Sequence, residues 1–163
     1  MEREQLDRFF HGVADRVAAE LGNEFPDAVP NYGLEIRDEG TDPRVAYVTA
    51  RGSAFTWVAF SFPGFDRWDV HVGCVVTQDT NTVQVGFHAL DRFCDRLPMP
   101  AIEAASAAAG GVYQKVPGPE EQQYVSAPIP LDRSDAVELA AREVVRFYRA
   151  TAPTMAELAR RSS

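Results

Sequence analysis

The stretch WDVHVGCVVTQDTNTVQVGFHAL, Trp68 to Leu90, decides how this chain folds. Apolar residues occupy the even positions of its first half (Trp68, Val70, Val72, Cys74, Val76) and the odd positions of its second (Val83, Val85, Phe87, Ala89). Strict alternation marks a strand with one buried face. Both apolar sets must point to one core, and a slip of one residue would turn every side chain over. A loop of Gln78-Asp79-Thr80-Asn81, with Asn81 suited to a left-handed position, joins the two strands as a hairpin. The register that meets both conditions sets His71 opposite His88 and Gly73 opposite Gly86 on one shared face.

Working outward, Leu6, Phe9, Phe10, Val13, Val17 and Leu21 recur at helical spacing, and Gly22-Asn23 supplies a stop. Residues 24–31, with Pro26 and Pro30, read as a connection. Tyr32 to Arg37 alternates as a strand, and Arg44–Arg51 with Ala54–Phe62 makes a hairpin about Gly52-Ser53. The run AFTWVAFSF is apolar on both faces, which places it inside the sheet. Phe62-Pro63-Gly64-Phe65 has the composition of a type II turn.

After Leu90 the period changes. Leu90, Phe93, Cys94 and Leu97 fit one helical face. Pro100 suits a first helical turn, and Gly110-Gly111 closes that helix. Val112–Val116 and Gln122–Ile129 read as two strands around Pro117-Gly118-Pro119, with Tyr113 facing Tyr124. Asp132 or Ser134 caps a long helix that carries Val137, Ala140, Ala141, Val144 and Tyr148 inward. Thr154 and Glu157 have capping-box spacing for a last short helix. Runs of strands followed by helices predict a single α+β domain over residues 1–163. It has an N-terminal helix, a mainly antiparallel sheet of about five to seven strands, and C-terminal helices packed on the sheet.

At 163 residues the chain can bury a full core without disulfide staples. Cys74 and Cys94 lie in apolar settings without a CxxC spacing and read as buried free thiols in a reducing compartment. The opening MEREQLDRFF is charged rather than apolar, and no apolar run reaches the ~20 residues of a membrane span. Both features predict a cytoplasmic protein without a membrane partner. A net charge of −8, with Lys115 the only lysine, argues against a nucleic-acid partner held through phosphates.

The chemistry the sequence offers is concentrated on the hairpin. Residues opposite each other on antiparallel strands have Cβ atoms about 4.5–5.5 Å apart, so the two imidazoles can share one ligand or one metal ion. Asp69 shares the face of His71, and Asp91 follows His88 by three residues; either is a candidate third group. Paired glycines inside strands mark a close approach by a ring, a backbone or a ligand. The ordinary alternatives are two histidines stacking on a half-exposed face and glycines covered by the chain's own atoms. Asp91-Arg92, Asp95-Arg96 and Glu138, Arg142, Arg146 read as solvated helix faces. His11 reads as a surface residue.

The sequence contains no P-loop, GxGxxG, GxSxG or HExxH motif. These observations favour a module that binds a small molecule or a protein partner on the face of His71, His88, Gly73, Gly86 and Asp69, with Trp57 or Tyr47 nearby. The second expectation is a metal- or histidine-assisted hydrolase using His71 and His88 with Asp69 or Asp91. The third is a homo-oligomer that pairs through an edge of the hairpin. No cofactor is indicated by any motif.

Overall fold

A computed structural model of the chain describes residues 3–32, 55–66, 69–77, 80–116 and 121–162. The elements are, in order, α1 (Arg3–Leu21), β1 (Pro30–Tyr32), β2 (Phe55–Ser61), β3 (Val70–Thr77) and β4 (Thr82–Leu90). They continue with α2 (Asp91–Cys94), α3 (Met99–Ala108), β5 (Val112–Val116), β6 (Glu121–Val125), β7 (Ile129–Pro130) and α4 (Ala136–Ser162). The sheet is antiparallel and seven-stranded, in the order β1-β2-β3-β4-β6-β5, with β7 also paired to β4. This is the α+β arrangement that the alternation and helical periods predict.

The hairpin forms in the expected register: His71 lies opposite His88 and Gly73 opposite Gly86. Asn81 takes the left-handed conformation, with φ 49°. Val70, Val72, Cys74, Val76, Val83, Val85, Phe87 and Ala89 are all buried, as the alternation requires. α1 buries Leu6, Phe9, Phe10, Val13, Val17 and Leu21 against the same core, alongside α4. Tyr148 of α4 stacks on Phe62, with ring centroids 4.9 Å apart, and its hydroxyl donates to the Ser61 carbonyl at 2.9 Å. Among the described residues the helices lie on one face of the sheet, and the outward-pointing residues of its strands lie on the other.

Two turns need glycine. Gly64 sits at φ 83° in the Phe62–Phe65 turn, closed by the Phe65 N–H on the Phe62 carbonyl. Gly110 sits at φ 81° and ends α3, its N–H bonding Ala107 O while the Gly111 N–H bonds Ser106 O. That pair of bonds is the Schellman pattern, which satisfies carbonyls the helix itself leaves open.

Several expectations are corrected. Pro30 and Asn31, expected in the connection, join Tyr32 in a strand, with proline at its first residue where no ladder N–H is needed. β1 pairs with β2 over Val58–Phe60. The expected strand at 33–37 and the strand at 44–51, with its Gly52-Ser53 turn, lie outside the described residues, as do Tyr47, Trp68, Gln78, Asp79 and Pro117–Pro119.

β6 stops at Val125 instead of running to Ile129, because Pro128 cannot donate to a ladder. The chain leaves β6 through Ser126, whose N–H bonds Val85 O at 2.7 Å, and returns to β4 as β7. α4 begins after Asp132 and Ser134, its first turn bonding Leu139 N–H to Asp135 O. It then runs through Pro153 to Ser162 as one helix, so Thr154 opens no helix of its own. Its apolar stripe continues across the proline through Thr151, Ala152 and Met155, all buried, and that burial outweighs one missing hydrogen bond. The histidine hairpin offers no edge for pairing with a second copy, since β3 lies between β2 and β4, and β4 lies between β3 and β6. Among the described residues the sheet ends at β1 and β5, and β5 carries the exposed Val112 and Tyr113. Tyr113 does face Tyr124, with ring centroids 5.5 Å apart.

Candidate functional site

The register lays a straight polar row across the sheet face away from the helices. Ser61 is opposite His71, His71 opposite His88, His88 opposite Gln123, and Gln123 opposite Gln114, on β2, β3, β4, β6 and β5 in turn. The neighbouring row is small or apolar: Ala59, Gly73, Gly86, Val125 and Val112. Alternation produces both rows, since every second residue of each strand faces away from the core.

The rings of His71 and His88 are nearly parallel, 13° apart, with centroids at 5.0 Å. Trp57 of β2 stacks on the other side of His71, at 6.4 Å and 17°. His88 is only 3% exposed, whereas His71 and Trp57 are half-buried. The face is therefore an aromatic ladder, Trp57–His71–His88, with its inner end sealed.

Glu121 completes that inner end. It precedes His88's partner Gln123 by two residues, which puts it diagonally across β4 and β6 on the same face. His88 Nδ1 lies 3.2 Å from Glu121 Oε1, and Gln123 Nε2 donates to Glu121 Oε2 at 3.0 Å. Burial alone would raise the Glu121 carboxyl. The hydrogen bond with His88, the pull of the His88 and His71 rings when they are protonated and the Gln123 amide outweigh it and lower the group to about 2. An ionised carboxylate only accepts, so His88 Nδ1 carries the proton of this bond. His88 Nε2, at the other side of the ring, is buried and has no hydrogen-bond partner among the described residues.

The two glycines serve these side chains. A Cβ on Gly73 would lie 3.0 Å from both Cδ2 and Nε2 of His88 and 3.2 Å from Cδ2 of His71. The bare position is the floor on which both rings rest. A Cβ on Gly86 would lie 2.1 Å from the Tyr124 carbonyl oxygen, so Gly86 lets β6 cross close to β4. The chain's own ring and backbone thus account for the glycine pair that the sequence offered as bare lining.

Asp69 bonds Arg92 through Oδ1 at 3.0 Å. Among the described residues, the group whose donor atoms could hold a metal is His71, His88 and Glu121; neither Asp69 nor Asp91 joins it. Glu121 escaped the sequence reading because β4 and β6 pair across two intervening helices and β5. The run Glu121-Gln122-Gln123-Tyr124-Val125 does not alternate, so no local pattern marks its face.

Other sequence candidates fall away from the site. Cys74 and Cys94 are buried thiols, and burial pushes the Cys74 thiol far up, which makes it inert. His11 is exposed on α1. Arg96 lies over its own helix neighbour Phe93 at 5.8 Å, and Glu138 pairs with Arg16 of α1 at 3.2 Å. No helix among the described residues is long and apolar enough to cross a membrane. No family model, no curated protein and no solved structure matches this chain.

Proposed function

We propose that this chain is a binding domain for a small ligand, with its site on the sheet face at His71, His88 and Glu121 and with Trp57 as the aromatic wall. One observation carries the reading: His88 has Nδ1 tied to Glu121 while Nε2 is buried without a hydrogen-bond partner among the described residues. An unsatisfied buried polar atom costs about 1–3 kcal/mol, and folds that keep one commonly use it. His88 is held in place by the polar row and by Glu121, so its orientation is set before any ligand arrives. The recessed position, 3% exposed, suits a small ligand better than the flat surface of a protein partner.

Binding is favoured over acid–base catalysis by the state of Glu121. Both of its oxygens already accept, from His88 and Gln123, so Glu121 is braced as a positioning group. The hydrolase reading draws on the same histidines and carboxylate and stands second. Self-association would use the sheet edge rather than the histidines; the exposed Val112 and Tyr113 of the edge strand β5 are where sedimentation at several concentrations would test it.

The test is a thermal-shift screen of metabolites and ions, repeated on His88→Ala. A ligand of the native state raises the midpoint by an amount set by RT ln(1 + [L]/Kd). Shifts that vanish in His88→Ala support the reading. Shifts that persist unchanged in His88→Ala and His71→Ala place the ligand elsewhere and refute it.

A further inference from the structure

We propose that the ligand of this face is one divalent transition-metal ion of the zinc class, bound by ring nitrogens of His71 and His88, with Glu121 fixing the His88 ring. The inference rests on the reading of this face as a ligand site and names what the site takes.

Three observations converge on it. First, one donor atom from each of His71, His88 and Glu121 lies within 4.8 Å of the others. Imidazoles bind zinc at about 2.0–2.1 Å, so two donors on one ion stand no more than about 4 Å apart. The donors, up to 4.8 Å apart, must therefore close up to share one ion. The near-parallel rings, 13° apart, keep their in-plane lone pairs from converging, so one ring must turn. Glu121 holds His88, so His71 is the ring that turns on binding, leaving its stack between Trp57 and His88.

Second, a metal-bound histidine ordinarily donates its other N–H to a carboxylate or carbonyl, which sets the tautomer and the ring angle. His88 already does this: Nδ1 meets Glu121 Oε1, Gln123 braces Oε2, and Nε2 is the buried nitrogen lacking a partner. An ion at Nε2 satisfies that atom. Glu121 is thus a positioning residue.

Third, Gly73 lets both rings lie close against the strand. A Cβ there would sit 3.0 Å from His88 Nε2 and 3.2 Å from His71 Cδ2, crowding the nitrogen offered to the ion. Donor chemistry selects the class of ion. Two imidazoles favour zinc, cobalt, nickel or copper, whereas magnesium and calcium want oxygen. Water or a further ligand fills the remaining positions on the side open at His71.

The experiment titrates chelator-treated protein with Zn²⁺, Co²⁺ and Ni²⁺, following heat and, for Co²⁺, visible absorption. Expected is one ion per chain, with binding lost in His88→Ala and weakened at least tenfold in His71→Ala. Glu121→Gln weakens binding about 10–100-fold yet keeps the Co²⁺ band positions, because the nitrogens on the ion are unchanged. His71→Ala shifts those bands. His11→Ala changes nothing. Circular dichroism checks each variant, and if His88→Ala does not fold, His71→Ala at its half-exposed position carries the test. The inference is overturned if none of the three ions binds up to millimolar concentration, or if binding survives His71→Ala unchanged. If no ion binds but a metal-free compound stabilises the protein only with His88 intact, the inference falls and the binding-domain reading stands. If neither binds, both fall.

Discussion

Gly86→Ala should damage this protein far more than Gly73→Ala, although the two glycines face each other across one ladder. At Gly86 the added carbon would stand 2.1 Å from the Tyr124 carbonyl oxygen and 2.8 Å from Tyr124 C and Val125 Cα. All three are backbone atoms, so no rotamer change relieves the contact. β6 must retreat by roughly 1 Å, the shortfall from ordinary van der Waals separation. That retreat strains the β4–β6 ladder where Gly86 meets Val125 and Phe87 meets Tyr124.

Overpacking of this kind costs about 1–3 kcal/mol, and one or two weakened ladder bonds add about 1 kcal/mol each. The entropic gain of replacing glycine, about 0.4–1 kcal/mol, offsets only part. The net is about 2–4 kcal/mol of lost stability.

At Gly73 the nearest atoms are side-chain ring atoms at 3.0–3.2 Å, which can give by a few tenths of an ångström. There the cost and the entropic gain nearly cancel, to within about 1 kcal/mol. Urea unfolding followed by far-UV circular dichroism gives both values from one linear extrapolation. The reasoning is refuted if Gly86→Ala lies within about 0.5 kcal/mol of the parent, or if Gly73→Ala is the more destabilising.

Other consequences follow from the same structure. Burial raises the Tyr148 hydroxyl to about 12 from its ordinary 10.0, with the charge of Asp27 adding to the shift. The unfolded chain therefore ionises first as pH rises. Stability is fully kept below about pH 10 and falls by about 1–2 kcal/mol as pH passes through about 12, a loss that Tyr148→Phe should remove in alkaline urea titrations. Pro153→Ala should stabilise the protein by about 1–2 kcal/mol, since it restores an N–H for the Arg149 carbonyl inside α4; an unchanged or lower melting midpoint would contradict the unbroken helix. Phe62→Ala, which removes a ring packed between Tyr148 and Phe87, should cost about 3–5 kcal/mol in the same assay.

The hairpin was legible because period-two alternation, a turn residue that tolerates φ above zero, and a single core leave one register. His71 opposite His88 follows from those three constraints alone. The helix α1 was legible from an apolar stripe and a glycine stop, and α3 from an opening proline, helix-prone alanines and a glycine stop. Nothing local announces that β6 pairs with β4, because that partnership closes over α2, α3 and β5. Glu121 was therefore hidden, and Asp69 and Asp91 stood in for it on sequence proximity. Proline misled the reading of α4 for a different reason. The local cost of Pro153 is visible in the sequence, but the burial of Thr151, Ala152 and Met155 on the same stripe is a tertiary gain. The glycine pair was correctly read as a place of close approach. What approaches, an imidazole at Gly73 and a carbonyl at Gly86, depends on neighbours that only the fold supplies.

The most direct test of the site is a long-range ¹H–¹⁵N correlation spectrum of the imidazole rings in chelator-treated protein at slightly alkaline pH. The account predicts that His88 carries its proton on Nδ1, bonded to Glu121, and presents an unprotonated Nε2 as a ready donor to a ligand. His88→Ala identifies the signals, and Glu121→Gln should redistribute the tautomers. A spectrum showing the proton on Nε2 would contradict the account, because no lone pair would then remain on the buried side of the ring.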